Sequence, residues 1–140
     1  MGERTERDRA NFLSILDAYR YVEKIDLRNT WLKCFMDVTN IERVKDWFEV
    51  LQTSERSQTA MMTLASDQSS GKKAEAHEKS DQVLLILDGE LTGEVGDQRL
   101  RFKKGDVIII PAGVKHRFEN RAKKPAVTFN VYSPPAYPAR

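Results

Sequence analysis

Residues 105–120 read GDVIIIPAGVKHRFEN, and each unusual residue in this stretch has a physical task. Gly105-Asp106 makes a turn that starts a strand. Val107 to Ile110 are apolar without alternation, the pattern of a strand buried on both faces. Pro111 ends ladder pairing, and Gly113 permits the positive φ that reverses the chain. His116 then stands at the start of the next strand, where its side chain can point into a barrel. Asn120 can close the following turn through its amide. The chain has two histidines, and His77 is the other.

Around this stretch the composition is that of an ordinary globular protein. The chain has 140 residues, the size of one domain with a real core, 40% of them hydrophobic and 31% charged. Net charge is +2, which argues for neither a nucleic-acid nor a membrane partner. Cys34 is the single cysteine, so no internal disulfide forms, and it reads as a small core side chain. The charged start, MGERTERDRA, is followed by no apolar run of secretory type, and no stretch approaches a membrane span. The cytoplasm is the expected location.

The texture of the chain changes near residue 45. Residues 8–24 carry Phe12, Leu13, Ile15, Leu16, Tyr19 and Val22 near helical spacing. Residues 30–36 form a compact aromatic patch, and 40–47 opens on Asn40 as a plausible N-cap. Residues 1–45 are therefore expected to form a helical arm that packs on the main domain or on a second subunit. Beyond it come short strands with Gly, Pro and Asp turns, an all-β sandwich or barrel. A hairpin is expected from 47–53 and 57–65, then AEAHE (74–78), QVLLILDGE, two strands around Val95-Gly96-Asp97, DVIII, HRFEN and AVTFNVY. Arg101 to Lys104 read as an exposed edge, where lysine discourages pairing. Residues 134–140 carry three prolines in the closing SPPAYPAR and are expected to run over the surface.

The pattern Gly105-x5-Pro111-x-Gly113-x2-His116-x3-Asn120 resembles the second motif of the cupin superfamily at all five fixed positions. That resemblance implies a double-stranded β-helix, or jelly-roll barrel, over residues 46–133. It also implies an upstream motif of two histidines in H-x-H, then three or four residues, a glutamate, six further residues and a glycine. Anchoring on Gly89 puts Gln82 at the glutamate position, His77 at the second histidine and Glu75 at the first. The family's leading glycine falls on Ser69, so that part departs from the pattern. Starting instead on His77 makes Lys79 the second ligand, a poor one at neutral pH.

The implied metal set is thus Glu75, His77, Gln82 and His116, in place of three histidines and a glutamate. Two imidazoles with one carboxylate suit non-haem Fe(II), and Mn, Ni, Co or Zn can also sit in such a set. Gln82 is either a fourth ligand or a hydrogen-bonding group that orients His77. Glu75 and His77 lie two apart and share a strand face. The same parity makes Leu84 and Ile86 pocket residues with Gln82, and Phe118 with His116, while Met62 or Met61 contributes from the hairpin. The alternative for the histidines is a metal-free barrel with polar residues inside, and for Glu75 a solvated loop residue beside Lys72 and Lys73. An apolar interior around a polar centre fits a small organic ligand. The resemblance leaves two roles open: a metal-dependent dioxygenase or isomerase, and a sugar- or metabolite-binding sensor without catalysis. It also implies a homodimer.

Overall fold

The structure, a computed structural model, describes residues 36–139. The chain separates into two compact units, Met1–Val38 and Thr39–Arg140, and the described fold is that of the second. The apolar segment expected at 8–24, most of the 30–36 patch and Cys34 lie outside the described residues. The helix expected over 40–47 shortens to one 3-10 turn, Ile41–Arg43. Asn40 does cap it, its Oδ1 accepting from the Glu42 N–H at 2.9 Å. Among the described residues no helix is long and apolar enough to cross a membrane.

Eight strands follow: β1 (Phe48–Thr53), β2 (Gln58–Leu64), β3 (Asp81–Asp88), β4 (Glu90–Val95), β5 (Gln98–Lys103), β6 (Val107–Ile110), β7 (His116–Glu119) and β8 (Ala126–Ser133). They make two antiparallel sheets, β1-β2-β8-β3-β6 and β5-β4-β7. Along β8 burial alternates, so Ala126, Thr128, Asn130 and Tyr132 face inward. The two sheets meet through a cluster of Met62, Leu64, Leu84, Ile86, Ile110 and Ala126 on one side and Leu91 and Phe118 on the other. Each large side chain buried here contributes about 1.5–3 kcal/mol, which is what holds the sheets face to face.

Two turn expectations hold at the atomic level. Gly105 and Gly113 sit at φ 92° and 80°, where only glycine is unstrained. Asn120, fully buried, accepts from Ala122 N–H through Oδ1 and donates Nδ2 to the Leu64 and Lys124 carbonyls. Two other expectations need correction. The run Val107–Ile110 is not buried on both faces: Val107 and Ile109 are 65% and 66% exposed, while Ile110 is buried. Strand β6 pairs only with β3 and so forms an edge of the larger sheet. The AEAHE stretch is not a strand either. Only Glu75 pairs, with His116, and the His77 carbonyl accepts instead from Gly113 N–H, which turns the chain away.

Candidate metal and ligand site

The loop between β2 and β3 lies along β7, and this brings the two halves of the site together. Ser70 N–H donates to the Phe118 carbonyl at 2.8 Å, and Phe118 N–H donates to Ser70 Oγ at 2.9 Å. Further along, Glu75 and His116 exchange both backbone hydrogen bonds, at 3.2 and 2.9 Å. A pair bonded in this way carries both side chains on one face. His77 follows two residues later, and its ring lies 5.3 Å from that of His116.

These residues open on a cavity of about 430 Å³. Glu75, His77, Gln82 and His116 all line it, together with Met62 and Phe118. Leu84 and Ile86 face inward, as their parity with Gln82 requires, yet they are not on the cavity wall. They are sealed in the apolar cluster, 0% and 1% exposed, because Leu64, Leu91 and Ile110 fill that part of the interior. Glu75 lies on the wall but is exposed to solvent.

The surroundings of the two imidazoles differ. His116 Nδ1 lies 2.9 Å from the Val114 carbonyl, which can only accept, so in the neutral ring Nδ1 carries the proton and Nε2 keeps its lone pair. Burial holds the His77 pKa below its ordinary value; the neighbouring His116 adds to this, and Glu75 opposes it. In metal-free protein the His77 ring is expected to titrate, by NMR, with a midpoint below the ordinary 6.5. A midpoint at or above 6.5 would mean that Glu75 outweighs burial. Between the folded midpoint and 6.5 the unfolded chain binds more protons, so this group lowers stability as pH falls.

Gln82 is 4% exposed, and its amide is oriented by a relay of hydrogen bonds across the sheet. Thr128 Oγ1 donates its one proton to the Met62 carbonyl at 3.2 Å, so it accepts from Asn130 Nδ2 at 3.0 Å. Asn130 Oδ1 is then the acceptor, and Gln82 Nε2 donates to it at 3.0 Å. The relay leaves Gln82 Oε1 as the one buried side-chain N or O atom with no hydrogen-bond partner among the described residues. A carbonyl oxygen kept dry and unpaired costs about 1–3 kcal/mol. Among the described residues, no group of three or more His, Cys, Asp and Glu side chains is close enough together to hold a metal ion.

Sequence reasoning missed the aromatic part of the wall: Trp47, Phe48, Tyr132 and Tyr137. Tyr132 was legible, since alternation along AVTFNVY places it on the same face as Asn130 and Thr128. Its ring meets His77 edge-on at 4.9 Å. Burial pushes its phenol far above the ordinary range, and the neighbouring Tyr137 adds to the shift. Tyr137 belongs to the proline-rich tail, which does not simply run over the surface. Its ring packs 4.9 Å from Phe48 and 5.5 Å from His77.

Comparison with known proteins agrees with this architecture. The family model of the cupin domain matches residues 60–132, just over half of the chain. A protein from Bacillus halodurans, BH2720, is 24% identical over 75% of this chain and 86% of its own, with a TM-score of 0.68. TT1209 from Thermus thermophilus is 27% identical over 71% of this chain and 98% of its own, with a TM-score of 0.62. An RmlC-like cupin family protein from Methanocaldococcus jannaschii is 24% identical over 71% and 92%, with a TM-score of 0.60. A search of curated proteins returns no match. The Gly105–Asn120 motif, the two facing sheets and the domain match converge on one assignment: the chain belongs to the cupin family.

Proposed function

We infer that the cavity binds a small organic molecule beside a divalent transition metal (Fe, Mn, Ni, Co or Zn), held by His77, His116 and Gln82 Oε1. Glu75, paired through its backbone with His116, is the carboxylate nearest to join them. The observation that carries this reading is the unpaired oxygen of Gln82, a residue of the wall that also carries both imidazoles, its amide fixed by the Thr128–Asn130 relay. A cation accounts for an acceptor left without a donor, and two imidazoles with a carbonyl oxygen are donors such an ion takes. When bound, the metal supplies Lewis-acid polarisation of a ligand oxygen or, if redox-active, the means for oxygenation chemistry. The protein's own part is to orient the donors, keep His77 neutral and exclude water with Met62, Phe118 and Tyr132. On this reading the chain is an enzyme of dioxygenase or isomerase type.

A non-catalytic binding or sensor role is favoured by one observation. Glu75, the one carboxylate on the cavity wall among the described residues, is exposed and does not complete a three-ligand cluster with the imidazoles there. Metal analysis of untagged, reconstituted protein tests the metal reading. About one equivalent of a divalent transition metal is expected. Less than about a tenth of an equivalent would end the metal reading.

A further inference from the structure

The tail residue Tyr137 is held in the cavity by an anchor built for it. Gln58 is 1% exposed, and its amide uses both ends on the Tyr137 backbone. Nε2 donates to the Tyr137 carbonyl at 2.9 Å, and Oε1 accepts from Tyr137 N–H at 3.0 Å. A third bond, from Nε2 to Thr53 Oγ1 at 2.9 Å, fixes the amide itself. Gln58 thus does for the tail what a neighbouring strand would do, matching one residue's donor and acceptor together. Without Tyr137 in place, a buried amide would lose two of its three partners, a costly arrangement. The strand register puts the anchor where the site needs it, since Gln58 and Gln82 flank Tyr132 in one row across the sheet.

The ring so placed has three aromatic neighbours: Phe48, Tyr132 at 5.2 Å and His77. Of the two phenols on the wall, Tyr132 is sealed at 2% exposure, whereas Tyr137 is only partly buried and within electrostatic reach of Glu75. Trp47, next to Phe48 at 5.9 Å, also lines the cavity and is 53% exposed. The wall therefore combines an open indole face, a protonated phenol and the two imidazoles. Indole and phenol rings gain most against another flat, unsaturated ring, and a neutral phenol donates to an oxygen acceptor.

We propose that Tyr137 is a ligand-contact residue that donates a hydrogen bond to an oxygen of a flat, unsaturated-ring ligand lying against Trp47, and that Gln58 is its positioning residue. This deepens the reading above and rests on it for the cavity being the ligand site, not for the metal. The probe is 4-nitrocatechol, followed by its visible absorption on titration with metal-free full-length protein, where chelation cannot contribute; methyl α-glucoside serves as a saturated-ring comparator. Saturable binding of the catechol, and not of the glucoside, is expected. Tyr137→Phe keeps the ring contacts and the backbone anchor, and should raise the dissociation constant about tenfold while leaving metal content after reconstitution unchanged. Gln58→Leu should weaken binding at least as much, and adding Tyr137→Phe to it should have no further effect, because the hydroxyl is already out of place.

No saturable catechol binding, or preference for the glucoside, would overturn the ligand class and the proposal with it. An unchanged affinity in Tyr137→Phe would overturn the contact even if Gln58→Leu proved too unstable to measure. Additive losses in the double variant would overturn the positioning role of Gln58. Wild-type protein that binds the catechol but takes up no metal would sink the metal reading and leave Tyr137 in its assigned role.

Discussion

Replacing His116 with alanine is expected to abolish retention of a divalent metal while leaving the β-rich circular dichroism intact. The backbone of His116 makes the structural bonds, exchanging N–H and C=O with Glu75, and these survive the substitution. What is lost inside the protein is the Nδ1 bond to the Val114 carbonyl, worth about 0.5–1.5 kcal/mol, with the ring contacts to His77 and Phe118. What is lost to the metal is a directly bound nitrogen. Partners that only orient ligands cost about 10–100-fold in affinity when removed, so a direct ligand should cost more than about 100-fold. Calorimetric titration with Co2+ measures it. Glu75→Ala divides the site further: metal retained at wild-type affinity in that variant would remove Glu75 from the ligand set and leave the two imidazoles and Gln82.

The largest effect on stability is expected at Gly89, the glycine that ends the upstream motif. It sits at φ 77°, and an added Cβ would lie 2.5 Å from the Pro125 carbonyl oxygen and 2.9 Å from Ala126 Cα. Both are backbone atoms of the segment entering β8, so neither can swing aside. Left-handed strain of about 1–2 kcal/mol and overpacking of about 1–3 kcal/mol should together make Gly89→Ala about 2–5 kcal/mol less stable. That is a large part of the 5–15 kcal/mol of a typical domain. Gly105 provides the control, since its φ is 92° but nothing lies within 4 Å of an added Cβ. Gly105→Ala should therefore show the strain alone, about 1–2 kcal/mol. Equal losses in urea denaturation of the two variants would mean that the contact with Pro125 and Ala126 carries no weight.

These two glycines also show how much could be read beforehand. The turn chemistry of residues 105–120 is local, and local rules sufficed for Gly105, Gly113, His116 and Asn120. Period-two alternation likewise put Gln82, Leu84 and Ile86 on the inner face. It could not say which of them meet the cavity and which are sealed beneath neighbours, because that depends on how Leu64, Leu91 and Ile110 fill the interior. An unbroken apolar run such as Val107–Ile110 reads the same in a central strand and at an edge. Strand order, absent from the sequence, left two of its side chains exposed. Tyr137 carried no signal at all. Prolines mark its segment as irregular, but its place on the cavity wall comes from an amide 79 residues earlier.

The central claim is that His77, His116 and Gln82 surround one metal ion. The direct measurement is an anomalous difference map from crystals of the full chain grown with Co2+. One strong peak is expected within about 2.0–2.3 Å of a ring nitrogen of each histidine and of Gln82 Oε1. A cavity without a peak, or a peak held by other residues while Gln82 Oε1 stays unpaired, would contradict that claim.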